Sequence, residues 1–110
     1  MKDNLFEELN QKVSELEVSI RQLRKSGTAY AEAERDYKVT LMQELLKLRA
    51  DGMAVTLLDK MIYGVAPVAD KRLRRDIAKT VYDTNLEHIN ATKVIIRVLE
   101  NQIDREWGAK

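Results

Sequence analysis

Residues 50–75 read ADGMAVTLLDKMIYGVAPVADKRLRR. The stretch holds the only proline of the chain, two of its four glycines and its densest basic run. Asp51-Gly52 reads as a helix stop, with glycine supplying the left-handed position after the last turn. Thr56 and Asp59 have the spacing of a weak N-terminal cap, and Gly64 reads as the close of a helix of about two turns. Leu57, Leu58, Met61 and Ile62 are too apolar for a free loop, so this short helix is expected to lie across the open end of a helical pair as a lid. Ala66-Pro67 then restarts the chain, because proline suits the first helical position.

Long helical patterns run outward from both sides of this turn. Upstream, Asn4 with Glu7 has the form of a capping box. Apolar positions then step by four and three through Leu9, Val13, Leu16, Ile20 and Leu23, then Gly27, Tyr30, Glu34, Tyr37 and Leu41, with Leu45 and Leu48 closing the run. A period of 3.5 residues is that of a coiled-coil seam. Gly27 is a soft spot, since glycine costs about 1 kcal/mol against alanine in a helix, yet the register continues across it. A small residue on the seam would also let a partner backbone come close. Downstream, the apolar positions from Leu73 to Trp107 form a band wider than two strands need, most of all from Val94 to Leu99. The surplus face is expected to be buried in a dimer with a four-helix core. The reading is an all-α single domain over residues 1–110. Its parts are a long helix at about 3–50, a turn and short helix at about 51–66, and an antiparallel long helix at about 67–107, assembling into a helical-bundle oligomer.

About a third of the residues are charged, and the formal net charge is only +1, so any electrostatic site has to be local. Aromatic residues are few, which suits interlocking aliphatic seams better than a thick globular core. The absence of cysteine excludes disulfides and thiolate chemistry and fits a reducing cytoplasm. The N-terminus MKDNLFEELNQKV interrupts its apolar positions with charge, so neither a secretion signal nor a membrane span is expected.

Catalytic groups are sparse, and no enzyme is expected. His88 is the only histidine, and its acidic neighbour Glu87 faces another way on a helix, where ligands pair three or four residues apart. Neither a metal nor a cofactor is expected. The basic run Lys71, Arg72, Arg74 and Arg75 falls in the opening turns of the second long helix, where the macrodipole already favours negative charge. Two readings stay open. Acids of the first helix near Glu44 and Asp51, or a dimer mate, answer these cations. Alternatively a phosphate does, with Lys60 and Tyr63 of the short helix closing over it and the phenol stacking on a base. Arg21, Arg24 and Lys25 form a second basic group near Gly27. Tyr30 and Tyr37, at heptad spacing beside Glu34, point to a core polar network or a small polar cavity.

The stretch LLKLRADGMAVTLLDKMIYG, followed by VADKRLRRDIAKTVY and the closing VIIRVLENQIDREWG, resembles a group of short helical proteins encoded by phages and prophages of Gram-positive bacteria. The similarity covers roughly Tyr37 to Gly108 and rests on the Arg49 to Gly52 turn, the Arg75-Asp76 pair and the closing Gln102 to Trp107. The group has no settled catalytic activity, so the resemblance implies a setting, the cytoplasm of an infected bacterium. There a non-catalytic accessory protein acts by occupying something. The expectation is sequestration of a small anionic ligand, a nucleotide signal of a host defence system, at Lys60, Tyr63, Lys71, Arg72, Arg74 and Arg75. The alternative is a helical adaptor for a host protein or for single-stranded nucleic acid.

Overall fold

The computed structural model describes residues 2–108, with side chains from Asn4 onward. Three α-helices follow in order: α1 (Lys2–Ala50), α2 (Val55–Met61) and α3 (Ala66–Gly108). A single 3-10 turn, Ile62–Gly64, joins α2 to α3. The long helices α1 and α3 pack antiparallel, and the chain divides into two compact units, Ser26–Tyr82 and Met1–Lys25 with Asp83–Lys110. No described helix is long and apolar enough to cross a membrane.

In the unit Ser26–Tyr82, α1 ends as its sequence demands. Gly52 has φ +92°, the Met53 N–H donates to the Leu48 carbonyl at 3.0 Å, and the Gly52 N–H donates to the Arg49 carbonyl at 3.0 Å. This is a Schellman closure, which satisfies carbonyls the helix itself leaves open. Arg49 reinforces it by donating from its guanidinium to the Met53 carbonyl at 3.0 Å. The core of the unit sits beside this turn. Ile62 and Val68 are 2% and 0% exposed, Tyr37 is buried with them, and Leu41, Leu45, Leu48 and Val65 pack around the three. Burying a large aliphatic side chain contributes about 1.5–3 kcal/mol, so this cluster is the strongest apolar anchor of the turn.

The expected lid is half right. Leu58 and Ile62 are buried, while Leu57 and Met61 are exposed. The cap at Thr56 is corrected: Ala54 stands at the N-cap of α2 without a side-chain cap bond, and Thr56 lies inside the first turn. Gly64 ends the short helical segment, as the last residue of the 3-10 turn, and does so without the positive φ that Gly52 has. At the other end of α1 the helix is already running at Lys2, so Asn4 lies within the first turns rather than capping them.

Helix α1 passes Gly27 without a break. What approaches Gly27 is a side chain rather than a backbone: a Cβ there would lie 3.3 Å from Cε1 of Tyr82. In the unit formed by the chain's two ends, Ile89, Leu99, Ser19 and Thr92 are buried. The seam of α1 therefore differs from the sequence reading. Val13 and Ile20 are exposed, and the next position around the helix, with Lys12 half-buried and Ser19 buried, turns inward. Small side chains leave room for bulky residues opposite, and hydroxyls can be satisfied locally; Thr92 donates to the His88 carbonyl at 2.8 Å. No buried side-chain nitrogen or oxygen among the described residues lacks a hydrogen-bond partner. Phe6 and Trp107 pack with ring centroids 5.9 Å apart and bring the two helix ends together.

Two glycine substitutions separate the two kinds of turn. Gly52→Ala forces an alanine into the left-handed region and should cost about 1 kcal/mol of unfolding free energy in urea titrations. Gly64→Ala, where a Cβ meets nothing within 4 Å, should stay within about 0.5 kcal/mol of the parent.

Candidate functional site

Residues 71–75 advance by about 100° each along α3, so their side chains cannot share one face. The structure separates them accordingly. Arg75 turns towards α1. Its Nη1 lies 3.4 Å from both carboxylate oxygens of Glu34, its Nε donates to Asp76 Oδ1 at 2.7 Å, and its guanidinium carbon stands 4.7 Å from the ring centre of Tyr37. The hydrogen bond to Asp76 holds the Arg75 pKa above its ordinary value, against the opposing effect of partial burial. Glu34 also faces Lys38 at 3.8 Å. An acid on the seam thus has two cationic partners. The acids that answer Arg75 are Glu34 and Asp76 rather than Glu44 or Asp51, and Glu44 pairs with Lys47 at 3.6 Å.

Arg72 is placed differently. Its guanidinium carbon lies 5.1 Å over the ring of Tyr63. Two of the expected site residues are therefore in contact, although they come from the 3-10 turn and from α3. Lys60 is in the last turn of α2, three residues before Tyr63, and is exposed; Arg74 is exposed and Lys71 half-buried. Among the described residues, none of Lys60, Lys71, Arg72 and Arg74 is in an ion pair with a carboxylate. The expected six thus divide into a stacked pair, three cations without carboxylate partners, and Arg75, which is engaged in the fold.

Sequence reasoning missed Tyr82. It stacks on Tyr30, with centroids 5.9 Å apart and planes at 36°, and with Gly27, Ala31 and Glu34 it lines an open groove of about 320 Å³. The signal was present: once the turn is placed, antiparallel pairing sets the only tyrosine of α3 near Tyr30. The place where a small polar cavity was one expectation is an open aromatic groove ending on an already paired carboxylate. The second basic group, Arg21, Arg24 and Lys25, lies in the other unit. His88 is exposed beside a groove lined by Gln11, Ser14, Glu15, Val18, Ser19 and Gln22. No family model matches the sequence, and no curated protein or solved structure matches it.

The two arginines should separate by stability. Arg75→Met removes two carboxylate contacts and leaves Glu34 half-buried, which should cost about 1–2 kcal/mol in denaturant titrations. Arg74→Met, with no such partners, should change stability by less than about 0.5 kcal/mol.

Proposed function

We propose that this protein is a non-catalytic binder that sequesters a small phosphate-bearing ligand at its turn end. The observation that carries the reading is the contrast between Arg72 and Arg75. Arg75 has two carboxylates, whereas Arg72 rests on the Tyr63 ring at 5.1 Å with no carboxylate partner among the described residues. A guanidinium resting over an aromatic ring has its N–H donors free for other partners, and their planar fork suits two oxygens of a phosphate. Lys60, Lys71 and Arg74 add positive charge near the opening of α3, where the helix dipole also favours an anion. Tyr63, 46% exposed, supplies a surface on which a nucleobase can stack. In the phage setting implied by the sequence resemblance, the ligand is a nucleotide signal of a host defence system, and binding withdraws it from its receptor.

The second reading, a helical adaptor for a host protein or single-stranded nucleic acid, is favoured by the exposed Val55, Leu57 and Met61 on α2. Gel shift at graded salt tests its nucleic-acid form, because phosphate-dominated binding falls steeply as salt rises.

Thermal-shift screening against cyclic dinucleotides and ADP-ribose derivatives tests the first reading. A ligand at a hundredfold excess over its Kd stabilises the folded state by about 2.7 kcal/mol, which a melting curve resolves. Arg72→Glu combined with Arg74→Glu should abolish the shift while the protein stays folded. Charge reversal at Arg75 is unsuitable as a probe, since it would set a third carboxylate against Glu34 and Asp76. A shift that survives the double reversal places the ligand elsewhere. The absence of any shift, with a gel shift lost on raising salt, favours the adaptor.

A further inference from the structure

Gly27, Tyr30, Ala31 and Glu34 stand at i, i+3, i+4 and i+7 of α1, the spacing that sets side chains on one face of a helix. With Tyr82 of α3 they line the open groove of about 320 Å³, and all five belong to the unit Ser26–Tyr82. Two small residues make the room. Gly27 has no side chain and Ala31 only a methyl, and a Cβ on Gly27 would already stand 3.3 Å from the Tyr82 ring. The half-buried rings of Tyr30 and Tyr82 form the wall. Their centroids are 5.9 Å apart, which is direct ring contact, so a flat ligand lies against the pair and not between its members.

The polar end of the groove is the half-buried Glu34 carboxylate. Its charge is answered, by Arg75 Nη1 at 3.4 Å from both oxygens and by Lys38 Nζ at 3.8 Å from one. Its hydrogen-bonding capacity is not. A charge-assisted N–H···O bond runs about 2.7–2.9 Å, and Arg75 makes its one contact of that length with Asp76, at 2.7 Å. An ionised carboxylate accepts at about four lone-pair positions and donates at none. Glu34 and Asp76 balance Lys38 and Arg75 in charge, so a free cation gains little by entering. The groove thus offers an aromatic wall beside a pair of acceptors, with its charge already neutralised.

The matching ligand is uncharged and flat, with two neighbouring N–H donors on one edge. Among the common nucleobases guanine alone has that edge, its N1–H beside its 2-amino group. Adenine and cytosine set a ring-nitrogen acceptor beside their amino group, which a carboxylate oxygen repels, and uracil has a single N–H between two carbonyls. Proteins read unstacked bases in this way, by an aromatic ring on the face and hydrogen bonds on the Watson–Crick edge. Small-molecule sites start at about 300 Å³, so a groove of about 320 Å³ suits one base with its sugar left outside. We propose that this groove is a nucleoside site selective for guanine. The base lies against Tyr30 and Tyr82 over Gly27 and Ala31, and its N1–H and 2-amino group donate to Glu34. The site needs no phosphate and shares no residue with the turn-end cations, so it does not rest on the phosphate-binding reading.

Ligand-observed NMR on the full chain with guanosine tests the proposal, because guanosine carries no phosphate. Guanosine should show saturation transfer and a saturable titration. Inosine, which lacks the 2-amino group, and 1-methylguanosine, which lacks N1–H, should each bind at least about tenfold more weakly, since each loses a hydrogen bond to a charged acceptor. Adenosine should bind no better than these two. Benzamidine, a flat cation with the same pair of donors, should bind more weakly than guanosine. Ala31→Leu, at an exposed helical position, should fill the groove and abolish guanosine binding with unchanged helical circular dichroism. The absence of guanosine binding to the parent protein overturns the proposal, whatever the thermal-shift screen finds for phosphate-bearing ligands. Equal binding of guanosine and adenosine overturns the pairing with Glu34, and tighter binding of benzamidine overturns the uncharged ligand. Guanosine binding that survives Ala31→Leu overturns the location.

Discussion

The packing of Tyr37, Ile62 and Val68 is the contact on which the rest of the chain depends. Two long helices can run antiparallel only if something fixes the point where they reverse, and here three elements bury one residue each at that point. The Schellman closure at Gly52 ends α1 cleanly and aims the chain at α2. Ile62 then enters the core from the 3-10 turn, and Val68 starts α3 in contact with the same cluster. Beyond the cluster the fully buried positions include hydroxyls, Ser26 in this unit and Ser19 and Thr92 in the other, the latter two beside Ile89 and Leu99. The least exposed aliphatic side chains, Ile62 and Val68, lie at the turn.

The same economy governs charge. Glu34 takes a seam position that a leucine would fill in a simple coiled coil, and Arg75 comes across from α3 to meet it with Asp76 and the Tyr37 ring. A half-buried pair of this kind contributes little net stability when intact and costs more when one member is lost, so its main effect is on register. It also divides the basic run. With Arg75 engaged, Arg72 on Tyr63 and the neighbouring cations remain for any anion that approaches the turn. Within five positions of one helix, Arg75 is engaged by carboxylates and Arg72 by an aromatic ring.

Much of this was legible in the sequence. The Asp51-Gly52 stop, the restart at Ala66-Pro67 and both long helices follow from residues whose backbone preferences are strong. The short lid was legible as an element but not in its details. Thr56 looked like a cap and is not one, because Ala54 already has the extended backbone that the position needs. Gly64 does close the short segment, but through a 3-10 turn that follows α2 and not as the end of one α-helix. The seam of α1 was misread at Val13 and Ile20 because apolar identity suggested the inward position. Two adjacent registers fit a period of 3.5 equally well, and the structure takes the one that buries Ser19 and Ser26. No single-sequence pattern says which register a partner helix will select. The site was legible in part: Tyr63 and Arg72 do meet, but the partner of Arg75 and the place of Tyr82 are long-range contacts that appear only once the helices are paired.

Measuring the unfolding free energy of Ile62→Ala against the parent tests the central dependence on the turn cluster most directly. Ile62 is 2% exposed, and truncation of such a residue in a core with no substitute packing costs about 2–5 kcal/mol. The expected result is a loss in that range with a single cooperative transition, as the reversal point fails together with the helices it joins. A loss below about 1 kcal/mol, in the range of an ordinary surface substitution, would contradict the cluster's role. It would place the determinant of the fold along the helical seams instead.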